Sequence, residues 1–147
     1  MLCAGTAQSA AATEIFSANL LGNRANQVIA GFPASTVDWD IQRGRVSLVS
    51  FGSGSTLLVL RAKGLIIPVI GFNPSPDILA RVICHNATGT PFEAARTATA
   101  PFESDGDAVL IAKVKIPDLC FAPIVLVTGS MDPAGNRPGN WFAVSGI

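Results

Sequence analysis

The run from Ala108 to Thr128, AVLIAKVKIPDLCFAPIVLVT, constrains the fold more than any other part of the chain. Leu110, Ala112, Val114 and Ile116 alternate with Lys113 and Lys115, the period-two pattern of a strand with one face in a core and the other in water. Pro117 and Asp118 then interrupt the ladder, because proline has no N–H to donate. Ile124 to Val127 is an unbroken, largely β-branched run, as expected of a strand covered on both faces. The first strand is expected to have one wet face. The second, reached through a proline corner that carries Cys120, is expected to be central in its sheet.

The remaining segments extend this pattern. Fourteen Gly and ten Pro punctuate the chain at about strand-length intervals, which predicts many short strands and tight turns. Glu14 to Leu21 reads as a strand ended by the turn residues Gly22-Asn23, and Gln27 to Phe32 as a short apolar piece closed by Pro33. Thr36 to Ile41 alternates, with Val37, Trp39 and Ile41 on one face and Trp39 as a core anchor. Arg45 to Phe51 and Thr56 to Lys63 form a hairpin about Gly52-Ser53-Gly54-Ser55. Leu65 to Ile70 is an edge strand or an extended crossover, since it contains Pro68. Ile78 to Asn86 turns Ile78, Ala80, Val82 and Cys84 inward. Glu93 to Pro101 is a weak Thr/Ala strand, Ser130 to Asn140 a turn-rich loop, and Trp141 to Ser145 the last strand.

With about nine or ten short strands and no strong helix pattern, the chain is expected to be all-β, a two-sheet antiparallel β-sandwich, with a β-barrel as the alternative. Its predicted core holds Val37, Trp39, Leu58, Leu60, Val82, Leu110, Val114, Leu126 and Val127. A length of 147 residues suits one domain, taken as residues 13–147. Residues 1–12, Ala-rich and containing Cys3, are either an N-terminal tail or signal-peptide remnant, or a short helix.

Charged residues make up 14% of the chain, where about 25% is usual, so the surface is expected to be built largely from Ser, Thr, Asn, Gly and Ala. Ten basic and ten acidic side chains cancel, and no stretch interleaves cations with aromatics. Nucleic acid is therefore not an expected partner. Apolar runs stop far short of the ~20 residues that span a bilayer, so no transmembrane segment is expected.

Cys84 and Cys120, one inward on a strand and the other at a strand corner, are expected to form a disulfide that clamps the fold in an oxidising compartment. The alternative is a pair of buried thiols in a cytosolic protein. His85 is the single histidine and lies on the face opposite Cys84, which argues against a Cys/His dyad. A small hydrolase or lyase would have to combine His85 with carboxylates. The Gly-Ser-Gly-Ser string lacks the Lys-Ser/Thr and the helix of a phosphate loop. Asp38 with Asp40, and Asp105 with Asp107, are the candidate calcium ligands, but calcium takes six or more oxygens and solvated strand face and turn are the alternative roles; no other cofactor is expected. Trp141 and Phe142 point to opposite sides of the last strand and are the candidate binding residues: one left exposed would stack on a sugar or fill a partner's groove, and packing into the core is the alternative role.

Cys84, Thr99 to Phe102 (TAPF), Gly106 to Ala108 (GDA), Cys120 to Val125 (CFAPIV) and Gly139 to Gly146 (GNWFAVSG) together form a pattern that resembles a group of exported bacterial β-domain proteins with no assigned activity. The resemblance covers the chain from about Leu57 onward and implies export and paired cysteines. The expected function is that of a non-catalytic, secreted structural protein that associates with copies of itself. Low charge removes long-range repulsion, and Glu93 to Pro101 offers an edge guarded by little beyond Arg96 and Pro101. The alternatives are an extracellular module that binds a carbohydrate or another surface ligand, a polysaccharide or a protein, and the His85 enzyme.

Overall fold

Eleven strands and no helix make up the described part of the protein, β1 (Thr13–Gly22), β2 (Val28–Ile29), β3 (Phe32–Pro33), β4 (Arg43–Ser50), β5 (Thr56–Lys63), β6 (Asp77–His85), β7 (Pro91–Arg96), β8 (Ala100–Pro101), β9 (Ala108–Val114), β10 (Phe121–Thr128) and β11 (Trp141–Gly146). The computed structural model describes residues 12–51, 55–129 and 139–146. The readings of the N-terminal segment with Cys3, of Gly52 to Gly54 and of the 130–138 loop therefore lie outside the described residues.

One antiparallel sheet runs β7-β6-β10-β11-β1-β4-β5-β9, with β8 also pairing β6, and β2 and β3 form a separate two-stranded arm. The sheet curls so that its two halves face each other. Leu48, Leu58, Leu60 and Leu110 from one half share a buried cluster with Ile78, Ala80, Val82, Val125 and Val127 from the other. The two expected layers are thus two halves of one continuous ladder, and the all-β, disulfide-clamped reading holds. Each of these large aliphatic side chains contributes about 1.5–3 kcal/mol by leaving water. At one end of the core Trp39 stacks on Phe142, ring centroids 4.4 Å apart, with Phe102 beside them.

The outward side of β10 and β11 is covered as well. Ile83, Leu126, Trp141 and Val144 form a second buried cluster with Ala34, against which Ile29 and Phe32 of the β2–β3 arm pack. The Trp141 indole N–H donates to the Phe32 carbonyl at 2.8 Å, and the Arg81 guanidinium lies 4.7 Å over the Phe32 ring. This explains the aliphatic run in β10: Val125 and Val127 face the inner core, Leu126 the outer one. By contrast β9 pairs only with β5 and ends the sheet. The two strands joined by the proline corner are therefore separated in the sheet, β10 central and β9 at an edge.

Two expectations need correction. Thr36 to Ile41 is not a strand; only an isolated bridge, Asp40 to Ile66, occurs there. Asn23 organises the segment instead: it is buried and its side-chain amide donates to the carbonyls of Ser35 and Val37, while Trp39 N–H donates to the Asn23 carbonyl. The chain so held buries Trp39 but leaves Val37 41% exposed, outside the core. Leu65 to Ile70 likewise forms a turn bounded by isolated bridges rather than a regular strand. Leu65 N–H donates to the Gly106 carbonyl at 3.0 Å, and Gly106 has φ +90° with a Cβ position blocked by the Leu65 backbone. Only glycine fits both demands.

The disulfide Cys84–Cys120 ties the end of β6 to the corner before β10. Cys84 is fully buried, and a bond of this kind persists in oxidising compartments. No helix among the described residues is long and apolar enough to cross a membrane.

Candidate functional site

Strand alternation puts every second residue of β1, β4, β5 and β9 on the outward face of the curled sheet. The pairing register then aligns those residues into rows. Asn19 lies opposite Arg45, Arg45 opposite Arg61, and Arg61 opposite Val109. One step along, Arg43 lies opposite Lys63. Four exposed cations therefore occupy neighbouring positions on two adjacent strands, with rows ~6.8 Å apart and strands ~4.8 Å apart.

Few groups neutralise them. Lys63 reaches Asp107 at 3.4 Å, and Asp107 also accepts from Gly64 N–H at 3.1 Å. Arg45 donates to the neutral Asn19 carbonyl oxygen at 3.3 Å. Arg43 and Arg61 make no ion pair among the described residues. Elsewhere among the described residues the arginines are matched: Arg24 with Asp40, Arg81 and Arg96 with Glu93. Like charges directly opposite on paired strands destabilise a sheet, so the Arg45/Arg61 and Arg43/Lys63 pairs work against folding. Arg61→Thr, which keeps a good strand former, should raise stability by about 0.2–1 kcal/mol. A thermal midpoint higher by roughly 1–4 °C at low salt, with the gain shrinking in about 1 M salt, is the expected measurement; an unchanged or lower midpoint would show that the repulsion is already relieved.

The cations line a cavity of about 540 Å³ that also includes Asn19, Asp107 and Val109. A second cavity of about 420 Å³ lies beside it, shares Asn19 and Arg45, and continues over Ser17, Ser145, Ile124 and Pro123. Together they form a trough that crosses the strands from β9 to β10. At the β1–β11 junction it is lined by Gly146, which lies opposite Asn19.

The residues singled out from the sequence lie elsewhere. Trp141 and Phe142 do point to opposite sides of β11, but both are buried, Trp141 under the β2–β3 arm and Phe142 against Trp39. Neither offers a ring to a ligand. His85 Nδ1 lies 3.3 Å from the Phe121 carbonyl and borders neither cavity. Asp38 accepts from Ala25 N–H and Asp40 pairs with Arg24. Asp105 accepts from Asp107 N–H, and Asp107 faces Lys63. The two aspartate pairs are thus engaged separately, and no group of three or more potential metal ligands occurs among the described residues.

Arg43, Arg45, Arg61 and Lys63 were not legible as a cluster from composition. A signal was present: a symmetrical hairpin about Gly52 to Gly54 must pair Arg45 with Arg61 and Arg43 with Lys63. No protein-family model, curated protein or solved structure matches the chain.

Proposed function

We propose that the protein is a non-catalytic, extracellular β-domain that holds a surface ligand on the outward face of β1, β4, β5 and β9. The observation that carries this reading is the pair of like-charge cross-strand contacts, Arg45 with Arg61 and Arg43 with Lys63. A local arrangement that works against folding points to a functional site. The disulfide supports placement outside the cell, as does the resemblance to exported bacterial β-domains. The test is retention on immobilised surface polymers, neutral and acidic, of the full chain and of an Arg45→Ser/Arg61→Ser variant. The full chain should be held by at least one polymer and the variant released earlier; equal retention of the two would sink the reading.

Self-association as a structural subunit has its own supporting observation. Among the described strands β7 ends the sheet, with a neighbour on one side only, and an unpaired edge is a template for another strand. Light scattering of the same samples separates the two readings. Growth of assemblies with concentration, unaffected by the double variant, favours the structural role; a monomer that is retained on a polymer favours the binding role.

A further inference from the structure

The shape and charge of the trough define the class of ligand, an inference that rests on the binding reading above. Three features matter. The four cations stand in two rows along one cavity, so they match a ligand with more than one anionic group. The row Ile124, Gly146, Asn19, Arg45, Arg61, Val109 is continuous across six strands, since Gly146 pairs Asn19 on β1 and the second cavity brings Ile124 beside Gly146. At ~4.8 Å per strand gap this row is about 24 Å long, far more than a small anion fills. Finally, the cationic end is lined by aliphatic Val109 and carries no aromatic ring, so it lacks the stacking platform used for nucleic-acid bases and neutral sugars.

We infer that the trough takes an extended acidic polysaccharide lying across the strands. Carboxylate or sulfate groups sit on the Arg43, Arg45, Arg61 and Lys63 side chains, where each guanidinium fork donates two N–H bonds to anionic oxygens and the Lys63 ammonium acts as a point charge. The less charged part of the chain continues past Asn19 over Ser17 and Gly146. Ser17 and Ser47 hydroxyls, 3.4 Å apart on adjacent strands beside this path, supply neutral hydrogen-bonding groups for sugar hydroxyls.

The experiment measures binding of the full chain to polygalacturonate, to its oligomers from one unit upward, to neutral dextran and to single-stranded DNA, at low and at elevated salt. Polygalacturonate should bind and be released by salt. Affinity should rise with oligomer length until the ligand covers about 24 Å, then level off. Arg61→Glu should weaken binding about tenfold or more, whereas Lys113→Glu, the same charge change on β9 outside the trough, should leave it within about twofold of the full chain; a melting curve for each variant verifies that both fold.

Several results overturn the inference while sparing the binding reading. Dextran held as tightly as polygalacturonate would remove the requirement for charge. Monogalacturonate equal to the polymer would make this a small-anion site. DNA bound more tightly than any polysaccharide, or equal loss in both charge variants, would replace a built trough with a nonspecific or different polyanion surface. Retention of none of these polymers by the full chain removes the binding reading itself.

Discussion

Trp141→Ala should lower the stability of the protein by about 3–5 kcal/mol, the largest effect expected of any single substitution considered. Trp141 is 0% exposed although it sits on the outward side of the sheet, because the β2–β3 arm lies over it. The arm and the chain that follows it are held at this residue by a side-chain hydrogen bond and a backbone bridge. The indole N–H donates to the Phe32 carbonyl, the Trp141 carbonyl accepts from Ser35 N–H, and Ala34 bridges its backbone. Truncation to alanine leaves a cavity beneath Phe32 and an acceptor without its donor, two costs that add. Water would then reach Ile83 and Leu126, which the arm otherwise shields. Denaturant unfolding followed by far-ultraviolet dichroism checks the value, with Trp141→Phe as the milder comparison. A loss below about 1 kcal/mol would mean that the arm folds down without this anchor.

Reduction of the Cys84–Cys120 bond, or the double replacement Cys84→Ala/Cys120→Ala, should cost about 4 kcal/mol on the chain-entropy account of a closed loop with a sequence separation of 36. The bond does more than close a loop. It attaches the end of β6 to the corner from which β10 starts, and these two strands pair over much of their length. Without it, the chain between them, which contains β7, β8 and β9, is free to explore more of the unfolded ensemble. Alanine is the appropriate replacement at Cys84, since a hydroxyl there would be buried without a partner. Mass measurement after alkylation, with and without reductant, verifies the bond, and denaturant midpoints in the two states give its contribution. Alkylation of both residues without reductant in protein from an oxidising compartment would exclude the disulfide, and equal midpoints would exclude its stabilising role.

Where sequence reasoning placed strands well, the information was local. Thr56 to Lys63 coincides with β5, and the inward set Ile78, Ala80, Val82 and Cys84 is buried as expected, because alternation reports directly on which face meets the core. It misled at Thr36 to Ile41, where the same alternation occurs in a segment whose backbone is bonded to the buried Asn23 side chain rather than to a strand. In the sequence Asn23 signals only a turn. Its burial depends on residues more than ten positions away, and alternation carries no trace of that.

The aromatic candidates and the cationic trough divide along the same line. An all-β fold, the inward and outward faces of its regular strands and the two-sided burial of β10 are legible in the amino-acid sequence, since each follows from side-chain period or turn residues; spacing favoured a Cys84–Cys120 bond over two buried thiols, and the structure contains that bond. Only the tertiary structure decided that the outward side of β11 lies under a two-stranded arm, which removes Trp141 from the surface. It also decided that four cations from two strands stand together in a chain of zero net charge. The physical reason is that cover and local potential are sums over neighbours in space, to which residues distant in the chain contribute as much as adjacent ones.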